Sequence, residues 1–167
     1  MRGFLSVSQH KVDKKGRVSV PVSFRISLGG EAKGAFICFP SMLGPWLQAV
    51  TPQQMQGFIQ QQDELGAFAG DINAYATLLF AHANEMIPDS DGRIVLPPEL
   101  LAHAKIEEDI VFVGQGHFFS IWAPNIFSAE QVKLRQRALD DRTNWLVPST
   151  RQSILTDRPG ADGGGNG

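Results

Sequence analysis

The sequence predicts a β-rich α+β fold made of two copies of one small unit in tandem, and three features lead to that expectation. First, Asp13-Lys14-Lys15-Gly16-Arg17-Val18-Ser19-Val20-Pro21 aligns with Asp89-Ser90-Asp91-Gly92-Arg93-Ile94-Val95-Leu96-Pro97, matching Asp, Gly, Arg and Pro outright and Val18 with Ile94 as β-branched equivalents. Second, the likeness runs on collinearly. Phe36 to Phe39 parallels Ile110 to Val113, and Ala49-Val50-Thr51-Pro52 parallels Ile121-Trp122-Ala123-Pro124. Third, the residues after each glycine alternate with the period of two that marks a half-buried strand: Val18 and Val20 around Ser19, and less cleanly Ile94 and Leu96 around Val95.

Each copy opens on an Asp-x-x-Gly-Arg hairpin, with Gly16 or Gly92 where a short loop needs positive φ. Pro21, or Pro97-Pro98, then pre-sets φ for a first helical turn. Phe24 with Leu28, or Leu100, Leu101 and Ala104, supply the buried side of a short helix, and Gly29 offers a stop. Two strands and a longer helix follow. In the first copy Thr51-Pro52-Gln53-Gln54 combines an N-cap threonine, proline at the first helical position and glutamine at capping-box spacing, with Met55, Phe58 and Ile59 on one stripe. A further helix is expected from Asp71 to about Met86, with Ile72, Tyr75, Leu79 and Met86 on its apolar side. A last one runs from about Pro124 to Arg142 and is basic toward its end through Lys133, Arg135 and Arg137, as the helix dipole favours. From about Val147 the chain is a glycine-rich tail with little to bury. The expected divisions are a first copy at 7–54, a helical connector at 55–82, a second copy at 83–126, a C-terminal helix at 127–146 and the tail at 147–167.

With 167 residues, 43% hydrophobic and 19% charged, the chain fits the ordinary soluble globular class. No apolar run approaches the ~18 residues of a membrane span, so a cytosolic protein is expected. A single cysteine, Cys38, in an apolar setting suits a reduced core position. The net charge of −2 conceals a division: residues 1–28 hold six cations against one anion, for +5, which leaves −7 on the remainder. A basic pole on an acidic body favours one docking orientation on a polyanion.

Enzyme motifs fail on spacing. Asp89-Ser90-Asp91-Gly92 resembles the opening of a calcium loop, but Ile94 and Leu100 occupy the places where glycine and glutamate are required. Gly29 to Gly34 has Walker A spacing, but Ala35 and Phe36 stand where lysine and a hydroxyl residue belong. His82 and Glu85 share an expected helical face without a third metal ligand, and His10, His103 and His117 form no set with a nucleophile. Trp46, Trp122 and Phe118-Phe119 fit core packing better than base stacking. No enzyme, metal or cofactor is expected.

Phe4-Leu5, the two Asp-x-x-Gly-Arg segments with their following strands, Val111-Phe112-Val113-Gly114-Gln115 and Ile121-Trp122 together resemble the MraZ family over about residues 4–140. The resemblance implies two AbrB-like repeats whose swapped hairpins interlock into a pseudo double-psi barrel. It also implies a homo-oligomeric ring that binds double-stranded DNA at direct promoter repeats and regulates the division and cell-wall gene cluster, in the cytoplasm and at the nucleoid. No membrane or small-molecule substrate belongs to that picture. The acid in Asp-Ser-Asp-Gly-Arg, the tail and the Ala/Gln-rich segment from about Gln53 to Ala81 depart from the family pattern.

A projecting hairpin fits the major groove, where the Arg17 guanidinium can bond guanine O6 and N7 together. Asp13 can hold that fork by a charge-assisted bond, while Lys14 and Lys15 meet phosphates. Arg93, Lys11 and Arg2 are further DNA-binding candidates, with His10 and Arg25 outside them; Gly16, Asp89 and Gly92 join Asp13 in supporting the hairpins. The alternative role of the Asp–Arg pair is local stabilisation of a turn. Two function classes remain: a sequence-specific DNA-binding transcriptional regulator, and an oligomeric scaffold whose hairpins only pair subunits. The +5 segment is the feature that a scaffold does not need.

Overall fold

The computed structural model describes residues 3–29, 34–64 and 74–141. It divides into two compact units, Met1–Ser128 and Ala129–Gly167. In the first, β1 (Val7–Lys11), β2 (Arg17–Ser19), α1 (Val22–Leu28), β3 (Phe36–Pro40), β4 (Leu47–Val50) and α2 (Pro52–Glu64) are followed by α3 (Ala74–Ala81). The same order then recurs as β5 (Asn84–Met86), β6 (Arg93–Val95), α4 (Pro98–His103), β7 (Asp109–Gly114), β8 (Phe119–Trp122) and the start of α5 (Pro124–Asp140).

Among the described residues all strand pairs are antiparallel, in a six-stranded sheet of order β1-β7-β8-β4-β3-β5 and a separate β2-β6 ribbon. The expected hairpins therefore form only as turns. Asp13 N–H donates to Arg17 O and Gly16 N–H to Asp13 O, both at 3.0 Å, but the arms then part. β1 pairs with β7, which lies in the other half of the chain, and β2 pairs with β6. Reciprocally, β5 pairs with β3. A local hairpin would leave the inner sides of its strands without an opposing layer, whereas the exchange buries Val18, Val20, Ile94 and Leu96 in one core. At the centre of that core Phe119 meets Phe4 at 4.9 Å, Phe24 at 5.0 Å and Phe36 at 5.1 Å between ring centroids, with Phe112 at 6.3 Å. Trp122 stacks on Trp46 at 4.2 Å beside Phe127. Cys38 is fully buried, and desolvation pushes its thiol pKa up to about 12, so it stays a neutral packing group.

Pro21 caps α1 and Pro98 lies within the first turn of α4; Phe24, Leu28, Leu100 and Ala104 face the core as their spacing predicts. Gly29 N–H closes α1 on Ile26 O at 3.2 Å. The capping box of α2 is complete, with Gln54 N–H on Thr51 Oγ1 at 3.2 Å and Thr51 N–H on Gln54 Oε1 at 2.9 Å. Thr51→Ala is expected to cost about 1 kcal/mol in urea denaturation, the usual loss of a threonine cap.

Three helical expectations need correction. On α2 only Met55 seats in the core, against Phe39, Val50 and Leu79, while Phe58 and Ile59 stay exposed. The α3 helix ends at Ala81, and Met86 is buried in a strand; ladder bonds to β3 and burial of Met86 outweigh the helical period there. Tyr75 is exposed while Ala76 and Leu79 are buried, and His82 and Glu85 share no helical face, since Glu85 belongs to β5. Asp71 and Ile72 lie outside the described residues, as does the tail. Among the described residues no helix is long and apolar enough to cross a membrane.

In the second unit α5 continues to Asp140, close to the expected end. Its surface carries a Glu130–Arg137 ion pair at 2.9 Å and a Gln136–Asp140 hydrogen bond at 3.0 Å.

Candidate nucleic-acid interface

Both turns are built by one aspartate that does two jobs. Asp13 Oδ1 accepts the backbone N–H groups of Lys15 and Arg17, each at 2.9 Å, and Oδ2 accepts Arg17 Nε at 2.7 Å. Asp89 repeats the arrangement with Asp91 and Arg93 N–H at 2.9 Å and Arg93 Nε at 3.4 Å. Gly16 (φ 81°) and Gly92 (φ 76°) take the left-handed conformation that the turn demands. A Cβ on Gly16 would lie 2.6 Å from Leu96 O, so space as well as φ requires glycine. At the second turn a Cβ on Gly92 would collide with the Arg25 guanidinium, whose Nε donates to Val20 O at 3.2 Å.

The hydrogen bonds from Arg17, backbone first and then side chain, hold the Asp13 carboxyl below its ordinary value of about 3.9; for Asp89 the Arg93 backbone N–H is the largest cause. A depressed native pKa contributes order that is present above the unfolded value and lost as pH falls through the native one. Between pH 7 and 5 the turns are expected to be indifferent to pH, and below about pH 4 to loosen. Amide hydrogen-exchange protection of Lys15 and Arg17 checks this, and Asp13→Asn removes the acid transition at the first turn only.

The β2-β6 register pairs Arg17 with Val95, Val18 with Ile94 and Ser19 with Arg93. Leu96 N–H bonds Gly16 O and Val20 N–H bonds Gly92 O, both at 2.9 Å, just beyond the two ends of the ladder. Arg17–Val95 and Ser19–Arg93 are therefore the non-hydrogen-bonded pairs, whose side chains stand closest. Val18 and Ile94 point into the core, and the opposite side carries Arg17, Ser19, Arg93 and Val95. The two arginines sit on one diagonal, roughly 7–8 Å apart by sheet geometry.

The two turns differ in charge. Arg17 is engaged through Nε, and among the described residues neither terminal nitrogen has a partner. Arg93 Nη2 also donates to Asp91 Oδ2 at 3.0 Å, so its fork is shared between two carboxylates. Asp13 with Lys14, Lys15 and Arg17 sums to +2, whereas Asp89 with Asp91 and Arg93 sums to −1. Lys14 and Lys15 are exposed at the first tip. Lys11 stands at the end of β1, its Nζ 3.1 Å from Asp109 Oδ1. His10 is half-buried, its ring edge-on to Phe112 at 5.5 Å and its pKa lowered by burial, so it does not project. Arg2 lies outside the described residues.

Three placements escaped the sequence reading. Arg25 covers the second turn, and Ser19 and Val95 complete the outward side of the ribbon. Alternation marked the latter two as outward but could not say which residues face them. Among the described residues no three His, Cys, Asp or Glu are placed to hold a metal.

The sequence family described as "MraZ protein, putative antitoxin-like" matches residues 79–144. The chain is similar to the transcriptional regulator MraZ of Pelagibacter ubique, 38% identical over 135 residues, covering 81% of this chain and 87% of that protein. It is also similar to the proteins of that name from Rickettsia akari, at 37% over 142 residues with 82% and 95% covered, and from Rickettsia bellii (strain OSU 85-389), at 34% over 140 residues with 81% and 93% covered.

Proposed function

Because the chain belongs to the MraZ family, we propose that it is a transcriptional regulator, not an enzyme, whose β2-β6 ribbon enters the major groove of double-stranded DNA. One observation supports this above others: an outward ribbon surface that carries Arg17, whose terminal nitrogens have no partner among the described residues, beside a turn of charge +2. Arg17 pairs bidentately with guanine, Lys14 and Lys15 fix the register through phosphates, and Asp13 keeps the fork from swinging. Arg93 has a lesser part because Asp91 competes for it. Lys11 is an outlying phosphate contact, and Arg2 extends the same basic segment. Reciprocal strand exchange supports AbrB-like swapped repeats at 7–54 and 83–126. Val22 and Ile26, 62% and 61% exposed one turn apart on α1, support self-association. A ring of subunits would engage direct promoter repeats of the division and cell-wall gene cluster with high effective concentration. Cytoplasmic, nucleoid-associated localisation follows from that role.

Fluorescence anisotropy on a labelled duplex from the protein's own upstream region, at several salt concentrations, tests the proposal. Saturable binding that unlabelled non-specific DNA does not displace is the expected result; displacement at equal concentration would refute it. Asp91→Lys is expected to tighten binding and to steepen the log K against log salt slope by about 1, since it frees Arg93 and adds a cation.

A further inference from the structure

We propose that Val95 reads the 5-methyl group of a thymine next to the guanine held by Arg17, and that this contact fixes the direction in which the ribbon lies on DNA. The inference rests on the DNA-binding reading above. Val95 is 57% exposed on the outward side of the ribbon, an apolar side chain among charged and polar neighbours. It has neither donor nor acceptor, and the thymine methyl is the apolar feature that base edges present in the major groove. Against any other edge Val95 would strip water from polar atoms without replacing the lost bonds.

Geometry sets the neighbour relation. Arg17 and Val95 are a directly opposed, non-hydrogen-bonded pair, with Cβ atoms roughly 4.5–5.5 Å apart by sheet geometry. Base pairs stack at about 3.4 Å along each strand, so the two side chains reach adjacent steps when the pair lies along the duplex axis. An approximate two-fold axis through the Val18–Ile94 pair exchanges Arg17 with Arg93 and Val95 with Ser19. Turned about that axis, the ribbon would set the Ser19 hydroxyl, which accepts several base types, against the same thymine and would exchange Lys15 for Asp91 at the tip. The Val95 contact therefore favours one of the two directions in which the ribbon can lie on the duplex.

Replacing each thymine of the bound duplex singly by deoxyuridine deletes only the methyl. For the wild type, one position is expected to lose about four-fold in affinity, the worth of one buried methyl-sized group. Val95→Ala binds the parent duplex correspondingly more weakly, shows no further loss with deoxyuridine at that position, and melts at the wild-type temperature. Equal tolerance of every deoxyuridine by the wild type, or the same sensitivity in Val95→Ala, overturns the inference. So does a Val95→Ala protein whose only change is a smaller assembly in size-exclusion chromatography, which would make Val95 a subunit contact. Arg17→Ala separates the two levels. If it binds as the wild type does, the ribbon reading itself fails; if it binds poorly while deoxyuridine has no effect, only the methyl contact fails.

Discussion

Arg17→Ala is expected to weaken binding to a single DNA box by about 1–3 kcal/mol, roughly five- to 150-fold, while leaving thermal unfolding close to that of the wild type. The side chain lies on the outward surface of the ribbon, and its removal opens no cavity. The turn keeps its Asp13–Arg17 and Gly16–Asp13 backbone bonds, as well as the two amides that Asp13 accepts. In an assembly that engages several boxes the single-site losses compound, so the effect grows with the number of boxes in the duplex. Arg17→Lys separates charge from geometry: an ammonium keeps a phosphate-level contact but lacks the planar fork, so salt dependence persists while discrimination among boxes falls. Arg93→Ala is expected to cost less, because two carboxylates already share that fork. Anisotropy with one-box and multi-box duplexes, beside circular dichroism melts of the same proteins, distinguishes these outcomes.

Phe119→Ala is expected to be the most destabilising single truncation considered, at about 3–5 kcal/mol. That is a large part of the 5–15 kcal/mol by which domains are ordinarily stable. Phe119 is fully buried and meets Phe4, Phe24 and Phe36, which reach it from the other half of the chain. Those rings cannot all close the gap, since each is also held by its own backbone, by β3 pairing for Phe36 and by the Phe4–Gly116 bridge for Phe4. Urea denaturation should show a lower midpoint with an unchanged m value and one transition for both halves. Two separated transitions would mean that the halves have independent cores.

Local features of this fold were legible from sequence because their causes are local. Aspartate and glycine at fixed spacing specify the turn, Thr51 and Gln54 specify the cap, and alternation puts Val18 and Ile94 inside with Arg17 outside. Pairing partners were not legible in the local pattern, and only the family resemblance implied that hairpins are swapped. Nothing in residues 7–19 says that β1 seeks β7 and β2 seeks β6, since a hairpin satisfies the same turn and the same alternation. The segment ending at Met86 misled for a related reason: its apolar spacing fits a helix, and only the open edge of β3 makes a strand the better outcome. At the site, the residue types were readable, but the lid that Arg25 forms over Gly92 and the Arg17–Val95 apposition depend on contacts across the duplication, and the tie between Arg93 and Asp91 on which rotamers the second turn selects.

Reciprocal strand exchange also bears on how the protein can evolve. Two identical chains that interlocked in this way would have to carry matching tips, and any substitution would appear in both. Joining them in one polypeptide removes that constraint, so a lysine at position 15 can coexist with an aspartate at position 91. It also makes partner encounter independent of dilution, since each half is tethered to its complement from synthesis onward.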